Sequence, residues 1–316
     1  SSSVGRDTSG IVLSDTRSKG EHINLYAQDV YGNERMSLTW GGRFSYLPYL
    51  HSLYFDPRVS LSADVSRGMK LNLAWGKYKQ FIAKTSVLDD YGNYNYIWSV
   101  VDNEDIPVLR ATHFVGGLSF QKGGFQLNFE SYYKSSFGLT RYLRKIIEQS
   151  EDIYKGKSKT IGADIFIKQN FKGHSVWLSY SISETKEMFE YQTLEIWHTA
   201  PHNQTHELKV AGMFDFDPFY FSANYVYGSG FEILTRNLSV PVFETGYYGR
   251  LDASAVFKFA FRSISFETGV SVLNVLNKEN IKFSNFERIP ADQISSINLY
   301  NDPVPFTPSI FLKIGF

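Results

Sequence analysis

A period-two alternation of apolar and polar residues recurs along nearly the whole chain and constrains its fold more than any other feature of the sequence. Residues 69–75 (MKLNLAW) and 251–262 (LDASAVFKFAFR) show the alternation most clearly. Because successive side chains of a β-strand point to opposite faces, each such segment predicts a strand with one apolar and one polar face. We predict thirteen of these strands, at residues 21–31, 35–47, 57–66, 69–83, 111–121, 124–135, 158–171, 174–185, 205–216, 219–229, 247–261, 264–277 and 307–316.

The apolar spacing typical of helices is almost absent. Residues 140–150 (TRYLRKIIEQS), which fall inside a long connection, form the one segment with helical character and could fold as a short loop helix. No run of about 18 apolar residues occurs, so the sequence excludes a transmembrane helix. The chain is therefore predicted to be all-β.

The connections between the predicted strands alternate strictly between short and long. Tight turns rich in Gly, Asn, Asp or Pro fall at residues 31–34, 67–68, 122–124, 172–173, 217–218 and 262–263. The intervening connections cover residues 84–110, 136–157, 186–204, 230–246 and 278–306, with a shorter one near 48–56. In an antiparallel up-and-down sheet all short turns lie at one end, which is typical of an outer-membrane β-barrel and not of a Greek-key sandwich. A large soluble β protein with an aromatic core is the alternative.

The length and composition of the strands agree with a membrane barrel. About ten residues at ~3.3 Å each, tilted by ~45°, cover roughly 23 Å, close to the ~25 Å apolar band of such barrels. Phe, Tyr and Trp together make up 16% of the chain. We expect aromatic girdles at the two membrane interfaces, formed by Trp40, Tyr46, Tyr78, Phe81, Tyr132, Tyr133, Tyr225 and Tyr227.

Polar residues occupy alternate strand positions opposite the apolar ones. Such groups are costly in lipid, so we expect them to face the lumen, where they hydrate it, dock other parts of the protein or contact a substrate. These residues are Asn24, Gln28, Asn72, Gln126, Asn128, Glu130, Asp164, Lys168, Asp252, Lys258, Arg262, Glu267 and Lys313.

Composition excludes several other classes of function. The chain has 32 basic and 32 acidic residues, and this neutral balance argues against nucleic acid as a partner. The absence of cysteine removes disulfides, thiolate zinc sites and cysteine nucleophiles. There is also no HExxH, GxSxG or phosphate-loop motif, so we predict no enzyme and no cofactor.

Several stretches resemble the TonB-dependent receptors, which are plugged transporters of the Gram-negative outer membrane. Residues 25–29 (LYAQD), 38–44 (LTWGGRF) and 55–61 (FDPRVSL) are similar to the mid-barrel series of that family. Two further pairs of stretches are similar to later strands of the family. The first pair is 204–208 (QTHEL) with 227–230 (YGSG), and the second is 250–252 (RLD) with 269–277 (GVSVLNVLN). The resemblance runs in the family's order from about residue 21 to the C-terminus.

The resemblance also implies that parts of the receptor lie outside this sequence. Receptors of this family begin with a TonB-binding segment and a plug domain, and nothing upstream of Glu21 is similar to either. An odd strand number does not close a single-chain bacterial barrel. We therefore expect residues 1–20 to be the remnant of an extracellular loop, and residues 21–316 to be the C-terminal part of a probable 22-stranded barrel.

The function implied by the resemblance is TonB-dependent uptake of a scarce or large nutrient across the outer membrane. The implied partners are the N-terminal part of the same receptor with its plug and first strands, the TonB complex acting through that plug, the barrel assembly machinery and lipid. A surface lipoprotein lid over the loops is a further possible partner. An adhesion barrel that binds a partner protein without transport, and a passive porin, remain alternatives.

Three groups of residues are candidates for specific roles. Tyr94, Tyr96 and Trp98, in a predicted extracellular loop, could stack a sugar or cap a hydrophobic ligand, or simply pack over the barrel mouth. His198, His202 and His206 are spaced like helical metal ligands, but Pro201 interrupts any such helix, so we assign no metal site. Leu312, Ile314 and Phe316 share one face of the last strand and resemble the outer-membrane assembly signal.

Overall fold

A computed structural model of the chain shows an antiparallel all-β wall. It describes residues 2–3, 15–16, 19–89, 94–145, 150–190, 196–234, 241–244, 246–280, 286–288, 297–299 and 304–316. Within these residues no helix is long and apolar enough to cross a membrane. The predicted all-β class is therefore confirmed.

All thirteen predicted strands are present and follow one another as an up-and-down meander. Each strand is paired antiparallel with its neighbours along the chain, so the first and the last strand each have one such partner and the other eleven have two. The wall strands are β1 (Ile23–Gly32), β2 (Met36–Leu47), β3 (Ser52–Ser66), β4 (Met69–Gln80), β5 (Leu109–Lys122), β6 (Phe125–Lys145), β7 (Ser150–Phe171), β8 (His174–Phe189), β9 (His206–Phe216), β10 (Phe219–Gly228), β11 (Tyr248–Phe261), β12 (Ile264–Leu273) and β13 (Thr307–Gly315).

The six tight turns all lie at one end of the wall, which we call the short-turn end, and the longer connections lie at the opposite, long-loop end. Backbone conformation explains the residues found in the turns. Gly68 has a φ of +77°, and a Cβ there would collide with the backbone carbonyl of Gln121. Glycine therefore fits this turn without strain, as the sequence predicted.

Strands β6 and β7 are much longer than predicted. Residues 136–157, expected to be a loop, mostly continue the two strands, and residues 140–145 are strand where a short helix was considered. A β-bulge at Gly138 shifts the register between the two strands, and its φ of +86° again suits glycine. The prediction failed because the alternating pattern breaks at this bulge, so the continuation of the strand could not be followed beyond it.

Several short elements of secondary structure lie outside the wall strands. A 3-10 turn, Pro48–Leu50, joins β2 to β3. A hairpin of Ile82–Asp89 and Tyr94–Val100, which we call the loop hairpin, lies between β4 and β5, and it pairs in parallel with residues 141–144 of β6. The remaining short strands are Ser2–Ser3, Asp15–Thr16, His198–Thr199, Glu232–Leu234, Pro241–Glu244, Phe286–Arg288 and Ile297–Leu299.

The strand order is that of a closed barrel, in which β13 stands next to β1. Strand β1 pairs with β2, and β13 pairs with β12. Within the described residues no register of backbone pairing joins β1 to β13, and both strands are exposed along nearly their whole length.

The outer face of the wall is an apolar band. Leu71, Leu118, Phe129, Ile165 and Tyr180 form one continuous row across five strands, because each is paired directly with the next. Many side chains of this face are exposed although they are large and apolar. An exposed apolar band of this extent is what a barrel presents to lipid.

Five of the eight residues expected in the aromatic girdles lie on the outer face of the wall. Trp40, Tyr46, Tyr133, Tyr225 and Tyr227 share the outer face. At the short-turn end the structure adds a band of touching rings that the sequence did not single out, formed by Phe214, Phe216, Phe219, Phe221, Phe257, Phe259 and Phe266.

Three of the expected girdle residues lie elsewhere. Tyr78 and Tyr132 share the inner face with Asn72 and Asn128, because strand positions two apart point the same way. Phe81 lies outside the wall strands, where its ring packs against that of Tyr54. A local aromatic-rich stretch does not reveal which face each ring occupies, and this caused the error.

Candidate functional site

The inner face of the wall is polar and continuous. Direct cross-strand pairs join Gln126 to Lys168, Glu130 to Asp164, and Glu267 to both Lys258 and Lys313. The expected lumen residues share this face with one exception. Arg262 is not on a strand face but in the tight turn between β11 and β12, where its φ is +57°.

Three basic residues and two tyrosines lie close together on this inner face. Arg58 and His113 are both paired with Gly76, and His113 is also paired with Lys134, so the three lie in one row. The Arg58 guanidinium lies 5.2 Å from the centre of the Tyr78 ring, and the Lys134 ammonium 4.3 Å from that of Tyr132. Cations over aromatic rings present both charge and flat apolar surface to a passing ligand.

A buried carboxylate organises the long-loop end of β2, β3 and β4. Asp56 is fully buried, and it accepts hydrogen bonds at 2.8 Å from Arg43 Nη2 and at 2.9 Å from Lys79 Nζ. Arg43 also donates to the Lys79 carbonyl at 3.1 Å. The two cations compensate the buried charge, and the hydrogen bond from Arg43 to Lys79 joins β2 to β4, so this group holds the three strand ends together.

A second buried ion pair, which we call the polar junction, connects the loop hairpin to β6 and β8. Arg141 Nη2 donates to the Glu187 carboxylate at 2.8 Å, Arg141 Nε donates to Ser86 Oγ at 3.0 Å, and the guanidinium lies 4.0 Å from the centre of the Phe189 ring. Beside it, the hydroxyls of Thr85 and Thr140 are 2.7 Å apart. The polar junction therefore sets where the loop hairpin sits at the mouth of the barrel.

The three histidines do not converge. His198 pairs through its backbone with Glu187, while His206 begins β9 and its Nδ1 lies 2.8 Å from the Tyr180 hydroxyl. Burial lowers the pKa of the His198 imidazole, the Arg141 guanidinium lowers it further, and the Glu187 carboxylate opposes the shift. Within the described residues no group of three or more His, Cys, Asp and Glu side chains could hold a metal ion.

The predicted aromatic candidates fall on one strand of the loop hairpin. Tyr94, Tyr96 and Trp98 occupy alternate positions, paired with Leu88, Ser86 and Lys84. The Trp98 side chain is 60% exposed. The Tyr94 and Tyr96 side chains lie outside the described residues, so their proposed role stays a prediction.

A third polar network ties down the connection before β13. Asn274 is almost fully buried, and its side-chain amide donates to the carbonyls of Lys278 and Val304 at 3.0 and 2.8 Å. The Asn274 backbone N–H donates to the Asp252 carboxylate at 2.9 Å. Residues 250–252 and 269–277, which carried a family resemblance, thus meet in space and clamp the last long connection to the wall.

Sequence reasoning missed the partners that make these networks. Asp56, Arg141 and Glu187 lie in stretches that were assigned to loops or left without a role. Arg43, Asp56, Asp252 and Asn274 fell inside segments that resembled the receptor family, but no buried partner had been assigned to any of them. A useful signal was available in one case, since an acidic residue at the centre of the FDPR stretch requires a cation when it is buried.

Comparison with known proteins supports the fold. No protein-family model matches the sequence. No curated protein matches it either. Solved structures do match: the copper transporter OprC has a TM-score of 0.65 at 12% identity, over 93% of this chain and 46% of that chain. The FrpB iron transporter from Neisseria meningitidis (F3-3 variant) has a TM-score of 0.64 at 13% identity, over 94% of this chain and 45% of that one.

The siderophore receptor PirA from Acinetobacter baumannii is similar over a still larger share of the chain. It covers 99% of this chain and 49% of its own, with a TM-score of 0.62 at 12% identity. The structures named here are TonB-dependent outer-membrane receptors. At such low identity the likeness shows that this chain has their barrel fold. It spans about half the length of the structures that it matches.

Proposed function

We propose that this wall, which has the fold of TonB-dependent receptor barrels, is the lipid-facing wall and extracellular loop region of an outer-membrane transporter that imports a scarce or large nutrient. The observation that carries the proposal is the separation of the two faces of the wall. Cross-strand rows of apolar side chains lie on the outer face, and rows of polar side chains lie on the inner face. A soluble sandwich buries its apolar face between two sheets, whereas this wall exposes it. The short-turn end would face the periplasm and the long-loop end the exterior.

We further propose that the N-terminal part of the same receptor supplies the plug and the first strands. The exposure of β1 and β13 along nearly their whole length supports this, because a strand without close neighbours accepts a further strand beside it. The inner-face polar rows would then dock the plug, through which the TonB complex would act. In the same proposal, residues 1–20 belong to an extracellular loop and residues 21–316 to the C-terminal part of the barrel.

The C-terminal residues fit a role in assembly. Ile310, Leu312 and Ile314 pair with outer-face residues of β12, and Phe316 is fully exposed. We propose that this exposed apolar edge is the segment that the barrel assembly machinery binds. A surface lipoprotein above the loops stays a further proposed partner.

The transport proposal is tested in cells that make the full receptor. Growth on a panel of limiting nutrients, among them iron chelates, cobalamin and glycans, should reveal a substrate whose uptake disappears when the receptor gene is deleted. Deleting TonB should abolish the same uptake, because the plug would no longer be pulled. If uptake of every nutrient is unchanged while the cells lose adhesion to a partner protein, the barrel is an adhesin and the transport proposal is wrong.

The aromatic strand of the loop hairpin gives a more specific prediction. Replacing Tyr94, Tyr96 and Trp98 together by alanine should weaken substrate binding roughly ten- to hundredfold, because aromatic rings supply a large apolar contact area to a ligand. Equilibrium binding of the identified substrate to the purified receptor measures the effect. The matched control replaces Tyr26 and Tyr31, which are exposed on β1 within the wall. Unchanged binding in the triple variant would assign these aromatics to loop packing alone.

A further inference from the structure

A cavity of about 810 Å³ lies at the short-turn end of the wall, and we call it the short-turn cavity. Its lining residues come from the turns before β2 and β4 and from the neighbouring ends of β5 and β6. They include three cations, Arg35, Arg67 and Lys70, and one acid, Asp64. Binding sites for small molecules commonly have volumes of about 300–1,000 Å³, so this cavity has the size of such a site.

Two of the three cations are not neutralised by the protein. The Lys70 ammonium lies 3.6 Å from the Asp64 carboxylate. Across the described residues, Arg35 and Arg67 have no acidic side chain within 4.0 Å. The cavity therefore carries an excess of positive charge, which attracts anions.

Backbone hydrogen bonds fix the turns that carry these cations. The Asp64 N–H donates to the Arg35 carbonyl at 2.7 Å, which joins the turn before β2 to the end of β3. The Gln121 N–H donates to the Gly68 carbonyl at 2.8 Å, which joins the turn before β4 to the end of β5. Because the backbone is already in place, a ligand has to order only the side chains when it binds.

Neutral hydrogen-bonding groups complete the lining of the cavity. Gln121, Gln126 and Asn128 contribute side-chain amides, and Ser66 and Ser119 contribute hydroxyls. Gln126 and Asn128 belong to the inner face, so the cavity is continuous with the polar surface of the lumen. Amide, hydroxyl and guanidinium groups all donate hydrogen bonds to anionic oxygens.

The strands that form the cavity carry a second cationic group nearer the long-loop end. Arg58 shares a cross-strand row with Lys134, and it lies six residues before Asp64 on β3, or about 20 Å along the strand. Between these two levels the inner face of β3 presents Ser60 and Ser62, which are small and uncharged. An anion that moves along β3 from one cationic group to the other therefore meets no acidic side chain on that strand before the cavity.

We propose that the short-turn cavity binds the imported nutrient on its way to the periplasm, and that this nutrient is a small molecule with two or more carboxylate or phosphate groups. The inference rests on the proposed transport function. Arg35 and Arg67 bind the anionic oxygens through charge-assisted hydrogen bonds, and Lys70 adds a third positive charge. Asp64 competes with the ligand for Lys70, which keeps the affinity low enough for release.

The test measures the binding of pyrenetetrasulfonate, a fluorescent tetra-anion, to the full receptor in a neutral detergent at low ionic strength. Equilibrium dialysis gives the number of sites and their affinities. The R35A/R67A variant should lose one site of the wild type, or bind the probe there at least about tenfold more weakly. Citrate and inositol hexakisphosphate should displace the probe from this site, and the stronger competitor identifies carboxylates or phosphates as the preferred groups. Uncharged myo-inositol should not displace it.

Three further variants separate charge in the cavity from charge elsewhere and from folding. The matched control, K122A/K172A, removes two cations from neighbouring turns that do not line the cavity, and it should bind like the wild type. The charge-preserving R35K/R67K variant should keep the site. The D64N variant should bind the probe severalfold more tightly, because it removes the acid of the lining, and a folding defect would not produce this gain.

Two results would overturn the inference. One is equal binding of the probe by R35A/R67A and the wild type, and the other is the absence of probe binding to the full receptor, which would assign these cations to contacts within the protein. Either result, with TonB-dependent uptake intact, leaves the transport proposal standing. Absence of TonB-dependent uptake of every nutrient would instead contradict the proposed function itself.

Discussion

Replacing Arg141 by alanine is expected to lower the free energy of unfolding of the barrel by about 3–5 kcal/mol, the usual cost of removing one partner from a buried ion pair. Arg141 forms an ion pair with the buried Glu187 carboxylate, and it also donates a hydrogen bond to Ser86 of the loop hairpin. His202 Nδ1 lies 3.9 Å from that carboxylate, and it compensates the charge only when protonated. Denaturant unfolding of the receptor in lipid vesicles measures the change.

Two further variants separate the buried charge from other effects of the substitution. The R141M/E187L variant removes both charges and should recover most of the lost stability, because no buried group is left unpaired. The K70A variant breaks the exposed Lys70–Asp64 pair, whose ions are 3.6 Å apart, and should cost only about 0–1 kcal/mol. Equal stability of R141A and the wild type would show that the polar junction does not hold the loop hairpin in place.

An arginine at Phe129 is expected to destabilise the barrel by about 2–4 kcal/mol, because this outer-face position lies near the middle of the apolar band. Phe129 is 42% exposed, and it stands between the tight turn at residues 123–124 and the girdle residue Tyr133. A guanidinium there must be placed in hydrocarbon or reach across several residues to the headgroups. Denaturant unfolding in lipid vesicles measures the effect. The folded fraction is followed by gel electrophoresis of unheated samples, in which folded and unfolded barrels migrate differently.

The neighbouring position supplies the matched control. Asn128 precedes Phe129 on the same strand but points to the inner face, where it is paired with Ser119. The N128R variant should therefore change stability by less than about 1 kcal/mol, because its charge remains in water. A similar loss of stability in both variants would mean that the two faces have the same surroundings, which contradicts a membrane-embedded wall.

Much of the fold followed from local rules. Thirteen strands and six tight turns could be predicted because side-chain direction in a strand has a period of two, and because a tight turn restricts residue type to a few. The failures lie where a local pattern breaks. The bulge at Gly138 interrupted the alternation, so the long upper halves of β6 and β7 were assigned to a loop.

The candidate site was less predictable. The inner-face polar rows were expected, because the period that identifies a strand also identifies its faces. The polar junction was not expected, since Arg141 and Glu187 are 46 residues apart and only the pairing of β6 with β7 and of β7 with β8 brings them together. Likewise, Arg110, Lys157 and Lys186 come from β5, β7 and β8, and the outer face that they share depends on register.

The sequence by itself determined the class of fold, the alternation of short and long connections, and the separation of each strand into an apolar and a polar face. These properties are set by neighbouring residues, because strand periodicity and turn conformation act over a few positions. The tertiary structure alone decided which strands extend beyond the apolar band, which distant charges are buried as pairs, and which cations share the outer rim. Those outcomes depend on cross-strand register, and register is fixed by contacts between residues far apart in the chain.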